Sequence, residues 1–174
     1  MRQDFSIDRA FSDSADAISA FGRKSFIDAY GSSNPPEHVE QYAERSFDCD
    51  VIKAELEAED CTFLIASADG EILGYTKLCA NRPIDCVSDP SPMQLERVYV
   101  DSSRQGSGIG ARLIDACVAQ ARQAAHRTIW LAAWEKNVRA HRFYERLGFR
   151  NVGKTYFMLG PERQEDVVMQ RSIE

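Results

Sequence analysis

The stretch Val98-Tyr99-Val100-Asp101-Ser102-Ser103-Arg104-Gln105-Gly106-Ser107-Gly108-Ile109-Gly110-Ala111-Arg112-Leu113 joins a β-prone segment to a helix-prone one through glycines. Glycine has no Cβ, so successive backbone N–H groups can close on phosphate oxygens, and the helix that begins there directs its positive end at them. The chemistry implied is anion binding, with a pyrophosphate as a fitting guest. A glycine turn used only for packing is the plainer reading; the strand before the glycines and the helix after them favour the cradle. Gly106, Gly108 and Ala111 also satisfy the dinucleotide fingerprint G-x-G-x-x-G/A. Three features oppose that rival. The strand ends near Val100, leaving a spacer over 101–105 where a tight turn is needed; the motif lies past mid-chain; and the next strand, over 128–134, ends without an acidic residue to read a ribose.

These residues need elements to hold them. Phe5 and Ile7 alternate with polar residues in a short strand, and Ile18, Phe21, Phe26 and Ile27 give 13–30 a helical period. Asn34 before Pro35-Pro36 predicts the cap of a helix reaching about Ser46, and Asp48 predicts the cap of another through Glu57. Two apolar runs flanking Asp69-Gly70 predict a hairpin. The stretch 81–92, with Pro83, Pro90 and Pro92, reads as an irregular loop that could form a substrate rim. Strands are expected over 93–101, 128–134, 153–159 and 165–172. Helices are expected after Gly110 and over 137–147, the latter closed by Gly148. The organisation is α+β: one domain over 1–174, with a mixed, mostly antiparallel sheet of about seven strands flanked by helices.

Composition bounds the partners. The 174 residues suffice for a core without metals or disulfides, and 44% hydrophobic with 28% charged residues is the usage of a globular, soluble chain. With 21 basic and 27 acidic side chains the net charge is −6, which repels nucleic acid and anionic lipid and attracts cations. The absence of a basic recognition stripe argues the same way against DNA. No apolar leader and no membrane-length apolar run is present, so a cytoplasmic protein is expected. Cys49, Cys61, Cys79, Cys86 and Cys117 are odd in number with no close C-x-x-C pair, and reduced thiols are expected, Cys117 as a buried structural one. His38, His126 and His141 lack metal-ligand or nucleophile-pairing spacing and read as surface residues, so no metal is expected. Whether the protein is a monomer or a homodimer is open.

The spacing Gln105-x-x-Gly108-x-Gly110 after Leu95-Glu96-Arg97-Val98-Tyr99-Val100 resembles the acetyl-CoA signature Q/R-x-x-G-x-G/A of the GNAT superfamily of N-acetyltransferases. About thirty residues on, Asn137 and the run from Ala140 through Tyr144 to Phe149 are similar to that family's second element. More narrowly, Ile129 to Asn137, the Phe157-Met158-Leu159-Gly160 run, Gln164 and Asp166 resemble the PaiA-type polyamine N-acetyltransferases, over nearly the whole chain. The resemblance implies the GNAT fold and transfer of an acetyl group from acetyl-CoA to a primary amine by direct attack on the thioester. Backbone amides of Val98, Tyr99 and Val100 would bind the pantetheine arm as an added strand. Those of Gln105, Gly106, Ser107, Gly108, Ile109, Gly110 and Ala111 would hold the pyrophosphate, and Asn137 would bond the pantetheine. Tyr144 would give a proton to the departing thiolate. Ser107 stands where a Lys or Arg is common, and Glu165 where PaiA-like chains carry a small hydroxyl residue.

An alkylammonium must lose a proton before it can attack, so an acid–base group is required. The alternation Gln94, Glu96, Val98 puts Glu96 on one face near the cofactor as that base; an ion pair with Arg97 or another nearby base explains Glu96 equally well. Tyr144 also fits a core aromatic beside Phe143 and Leu147, and Trp130 and Trp134 read as core or pocket wall. Backbone N–H groups near Val98 to Val100 would stabilise the oxyanion. The expected acceptor is a polyamine, met by Glu37, Glu40, Glu44, Asp85 and Asp89 at the mouth or by solvated surface charge at those positions. The alternatives are a protein N-terminus, an amino acid or another small amine as acceptor, or a non-catalytic acyl-CoA-binding regulatory module.

Overall fold

The computed structural model describes residues 4–174. In chain order it places β1 (Ser6–Arg9), a 3-10 turn (Ser12–Ser14), α1 (Ala15–Tyr30), α2 (Pro36–Ser46), α3 (Cys49–Glu57), β2 (Cys61–Ala68) and β3 (Glu71–Cys79). There follow β4 (Met93–Val100), a second 3-10 turn (Ser102–Arg104), α4 (Ile109–Gln123), β5 (Thr128–Trp134), α5 (Val138–Arg146), β6 (Arg150–Leu159) and β7 (Glu162–Ser172). The strands form one seven-stranded sheet in the order β1-β2-β3-β4-β5-β7-β6, antiparallel throughout except between β4 and β5. This is the α+β arrangement expected from the sequence, a mixed and mostly antiparallel sheet flanked by helices.

Alternation along the strands loads the two faces of the sheet separately. One face packs Leu64, Leu78, Leu95 and Leu131 against Leu113, Ile114 and Cys117 of α4. The other packs Phe63 and Tyr75 against Ile18, Phe26, Phe47 and Ile52 from α1 to α3. Asp69 and Gly70 both take positive φ (52° and 80°), as a two-residue hairpin turn requires. Asp48 caps α3, its Oδ1 accepting the Asp50 N–H at 2.9 Å.

Several expectations fail for reasons of tertiary contact. Asn34 does not cap α2, which starts after Pro35; its Nδ2 donates to the Tyr30 carbonyl (3.0 Å) and its Oδ1 accepts from Gln164 (2.7 Å). The loop over 81–92 lines neither of the two cavities described below. It lies over a small third core of Val87, Trp130 and Val168, with the Trp130 indole donating to the Arg82 carbonyl at 2.7 Å. β6 and β7 each begin three residues early because their mutual pairing carries polar residues into the sheet. The three histidines are partly buried rather than on the surface, His38 against Gly160. Not all the cysteines are free: the hairpin brings Cys61 and Cys79 opposite each other, Cα atoms 4.2 Å apart, in a disulfide. Cys49, Cys86 and Cys117 are free, and Cys117 is buried, its thiol donating to Thr76 Oγ1.

Candidate active site

The parallel pair β4–β5 holds only at Met93–Ile129 and Gln94–Trp130; beyond them the strands diverge. The backbone of β4 past Leu95 therefore faces a gap instead of a neighbouring strand, an edge on which an extended ligand can lie as an added strand. A bulge accompanies the divergence. On β3, Lys77 pairs with Arg97 but Leu78 pairs with Leu95, so Glu96 is an extra residue and the side-chain parity reverses across it. Met93 and Leu95 face α4, and so do Val98 and Val100, whereas Arg97 and Tyr99 face α1–α3. The expected shared face for Glu96 and Val98 is thereby corrected: Glu96 turns to the opposite side, where its Oε1 meets Lys77 Nζ at 3.0 Å.

At the far end of the gap lies a cavity of about 440 Å³. Val98, Val100, Gln105, Gly106, Gly108, Gly110, Ala111, Asn137 and Tyr144 line it, so nine of the residues expected from the sequence come together there. Gly106 and Gly108 have φ of 85° and 90°, which L side chains rarely adopt, and nothing lies within 4 Å of where their Cβ atoms would be. Gly110 lets α4 approach α5, since a Cβ would sit 3.1 Å from Phe143. No side chain caps α4, so its first N–H groups point into the cradle. Tyr99, Ser107 and Ile109 send their side chains elsewhere: Tyr99 to Phe47 and Tyr75, the Ser107 hydroxyl to the Arg104 carbonyl, Ile109 into the α4 core.

Charge reaches the cavity from residues that motif reading passed over. Arg104, Arg139 and Arg146 line it, replacing the cation that Ser107 does not supply. The signal was present in α5, where Arg139, Ala140, Phe143, Arg146 and Leu147 recur at helical spacing on the cavity face. Asn137 caps α5 through its Oδ1, which accepts the Ala140 N–H at 3.1 Å, and its side-chain N–H₂ is left free of that cap. Three arginines, an unfilled glycine loop and a free strand edge fit a long phosphorylated thioester carrier such as acetyl-CoA. Burial drives the Tyr144 phenol well above its ordinary pKa, so it stays protonated and can donate.

The sheet's other face carries a different set of groups. Lys77, nearly fully buried, lies 3.0 Å from both Glu55 and Glu96, and Arg97 forks onto Glu55 at 2.6 and 3.1 Å. Two cations and two carboxylates thus neutralise one another behind the bulge. Farther along, Tyr30 lies 5.9 Å from Trp134, and Trp134 pairs across the sheet with Asp166. Burial pushes the Asp166 carboxyl up to about 6, against the opposing pull of His141. The Tyr30 hydroxyl is pushed up to about 12 by burial and then by the charge of Asp166. Trp134 also walls a cavity of about 640 Å³ with Glu135, Glu162 and Glu165; Glu37, Glu40, Glu44, Asp85 and Asp89, expected at the mouth, line neither cavity. Among the described residues no group of His, Cys, Asp and Glu is arranged to hold a metal ion, and no helix is long and apolar enough to cross a membrane.

Residues 23–149 match the model of the Acetyltransferase (GNAT) family. An uncharacterized N-acetyltransferase in the pepI 3′ region of Lactobacillus delbrueckii subsp. lactis is 29% identical over 154 residues, 88% of this chain and 89% of that protein. An aminoglycoside N(6′)-acetyltransferase type 1 of Stenotrophomonas maltophilia is 30% identical over 106 residues (60% and 69%). A spermine/spermidine N(1)-acetyltransferase of Bacillus subtilis is 26% identical over 90 residues (51% and 59%). In structure the chain is similar to the PaiA N-acetyltransferase of Thermoplasma acidophilum, solved in complex with coenzyme A: TM-score 0.80, 18% identity, 97% of this chain and 99% of that one.

Proposed function

The chain belongs to the GNAT acetyltransferase family and is an acetyl-CoA-dependent N-acetyltransferase; we propose that its acceptor is a small cationic amine, a polyamine. When bound, acetyl-CoA supplies the acetyl group as an activated thioester. In this reading the α4 N-terminus with Arg104, Arg139 and Arg146 holds the phosphates, and the β4 edge at Val98 and Val100 together with Asn137 holds the pantetheine arm. Backbone N–H groups of 98–100 donate to the carbonyl oxygen, and Tyr144 O–H delivers a proton at sulfur. Glu96, on the acceptor face and two-thirds covered, receives the ammonium proton through a water.

The observation that carries the proposal is the asymmetry of the two faces: a cationic cradle behind the gap, and in front of it Asp166, a half-buried carboxylate with no salt bridge, beside the rings of Tyr30 and Trp134. A cation is therefore the acceptor that the front face complements. The relative from Bacillus subtilis named for spermine and spermidine supports this reading; the one from Stenotrophomonas maltophilia supports an aminoglycoside amine instead. The deciding experiment measures thiol release from acetyl-CoA with spermidine, spermine, lysine, a peptide amine and an aminoglycoside, with Tyr144→Phe as control. Polyamine-dependent release that collapses in the variant supports the reading. Release with the aminoglycoside alone moves the acceptor to that class. Coenzyme A binding without any turnover favours the regulatory module.

A further inference from the structure

We propose that Asp166, beside Tyr30 and Trp134, anchors a second, non-reacting ammonium group of the acceptor, so that diamines and polyamines are preferred to monoamines. This rests on the amine-acetyltransferase reading and names the residue that detects the acceptor's second charge.

The first ground is that Asp166 lacks a partner which comparable acids have. Glu55, Glu96 and Glu165 are also partly buried, and each lies against a cation: Arg97 and Lys77, Lys77, and Lys154 respectively. Asp166 is half-buried, and among the described residues no salt bridge or hydrogen bond reaches its carboxylate. A covered carboxylate without a cation costs stability, and a ligand cation would remove that cost.

The second ground is its position. On β7, Val168 packs against Trp130, and Asp166 lies two residues away on the same face, beside Trp134 of β5 and Thr155 of β6. From above comes Tyr30, whose carbonyl is held by Asn34, which Gln164 of β7 holds in turn. The carboxylate is thus one strand beyond β5, whose other edge borders the gap, so β7 lies two strand spacings, about 10 Å, from a ligand strand in the gap, a distance shortened by the reach of the Asp166 side chain. An acceptor with a second nitrogen some methylenes from the first can reach it; a monoamine has no second ammonium to place there. Aromatic faces attract alkylammonium groups, and the chain's own Lys136 Nζ already lies 5.6 Å from the Trp134 ring centre. Beyond Trp134 the larger cavity gives a longer polyamine room to continue.

The groups facing Asp166 set its pH behaviour. Tyr30 of α1 and His141 of α5 are the titratable neighbours; Trp134 of β5 and Thr155 of β6 do not titrate. Tyr30 remains neutral across the working range, so of these groups Asp166 alone carries negative charge. The anchor is charged above about pH 6 and neutral below it.

The experiment compares 1,4-diaminobutane with butylamine on the wild type and on Asp166→Asn. In the wild type the diamine has a KM lower by about 10- to 100-fold, the range of one charged hydrogen bond. Asp166→Asn removes that preference while kcat, the butylamine KM and coenzyme A affinity stay within about twofold of wild type. The diamine-to-monoamine KM ratio of the wild type rises toward one as pH falls through about 6, and the variant shows no such inflection. Trp134 fluorescence reads diamine binding without turnover, and Trp134→Leu, which leaves Asp166 in place, shows a smaller loss confined to the diamine. An undiminished preference in Asp166→Asn, or equal losses for both amines, overturns the proposal. If the wild type acetylates neither amine yet binds the diamine only with Asp166 intact, the anchor stands and the acceptor reading falls. If both proteins bind it alike, the anchor falls.

Discussion

The cradle at the start of α4 takes most of its wall from one continuous stretch, 98–111, and its tools are backbone N–H groups; the cluster on the other face gathers Tyr30 from α1, Trp134 from β5 and Asp166 from β7, and its tools are side chains. The difference is one of what each site can tolerate. A main-chain site survives wide sequence change as long as its φ angles and close approaches survive, which is how a chain only 18% identical to a coenzyme A-bound structure keeps the same fold. A side-chain site changes its ligand with one substitution. On the proposed reading, the donor half carries the family and the acceptor half carries the specificity.

The sharpest way to separate the halves is to break the support of one while leaving the other intact. Glu55→Gln strips Lys77 and Arg97 of their shared carboxylate and should cost about 3–5 kcal/mol, read as a lowered denaturant midpoint. The cradle, on the opposite face, should still bind coenzyme A in the molecules that remain folded. Tyr144→Phe acts on the donor half without touching stability. It should lower kcat by about 10²- to 10³-fold with coenzyme A affinity unchanged, because only the proton at sulfur is lost. An unaltered kcat would assign Tyr144 to packing beside Phe143 and Phe149.

Smaller effects sharpen the contrast. Gly108→Val forces a β-branched residue into φ of 90° and should weaken coenzyme A binding by roughly tenfold in calorimetry, with the acceptor KM unchanged. The smallest effect has the opposite sign. Between about pH 4 and 6 folded Asp166 keeps a proton that the unfolded chain has already released, so wild-type stability falls as pH rises through that window and stays lowered above it. Asp166→Asn should therefore stabilise the protein at pH 7 by on the order of 1 kcal/mol, after allowance for solvent screening, and the gain should fade as the pH is lowered to 4. Thermal melts at the two pH values test it. A variant that loses acceptor preference while gaining stability marks a residue kept for its ligand.

The cradle was legible because its signal is local: a strand, glycines and a helix in consecutive residues, with Asn137 and Tyr144 one element later. The three arginines were legible only in part, since Arg139 and Arg146 fall on a face of α5 that periodicity reveals only once the partner of that face is known. Glu96 was misplaced relative to Val98 because simple alternation presumes an unbroken strand, and nothing in Leu95-Glu96-Arg97 announces a bulge. Asn34 carried a sound capping signature, but Gln164, 130 residues away, took its side chain.

By itself, the sequence determined the local geometry: hairpin at Asp69–Gly70, cap at Asp48, glycine loop, helix after Asn137, and with them the fold and the residues that line the glycine cradle. These depend on backbone preferences acting over a few residues, which the chain carries wherever it folds. Only the tertiary structure decided that Cys61 meets Cys79, that Lys77 is buried between Glu55 and Glu96, and that Asp166 stands without a cation beside Tyr30 and Trp134. Each depends on strand register and helix placement, where a shift of one residue moves a side chain to the opposite face of the sheet.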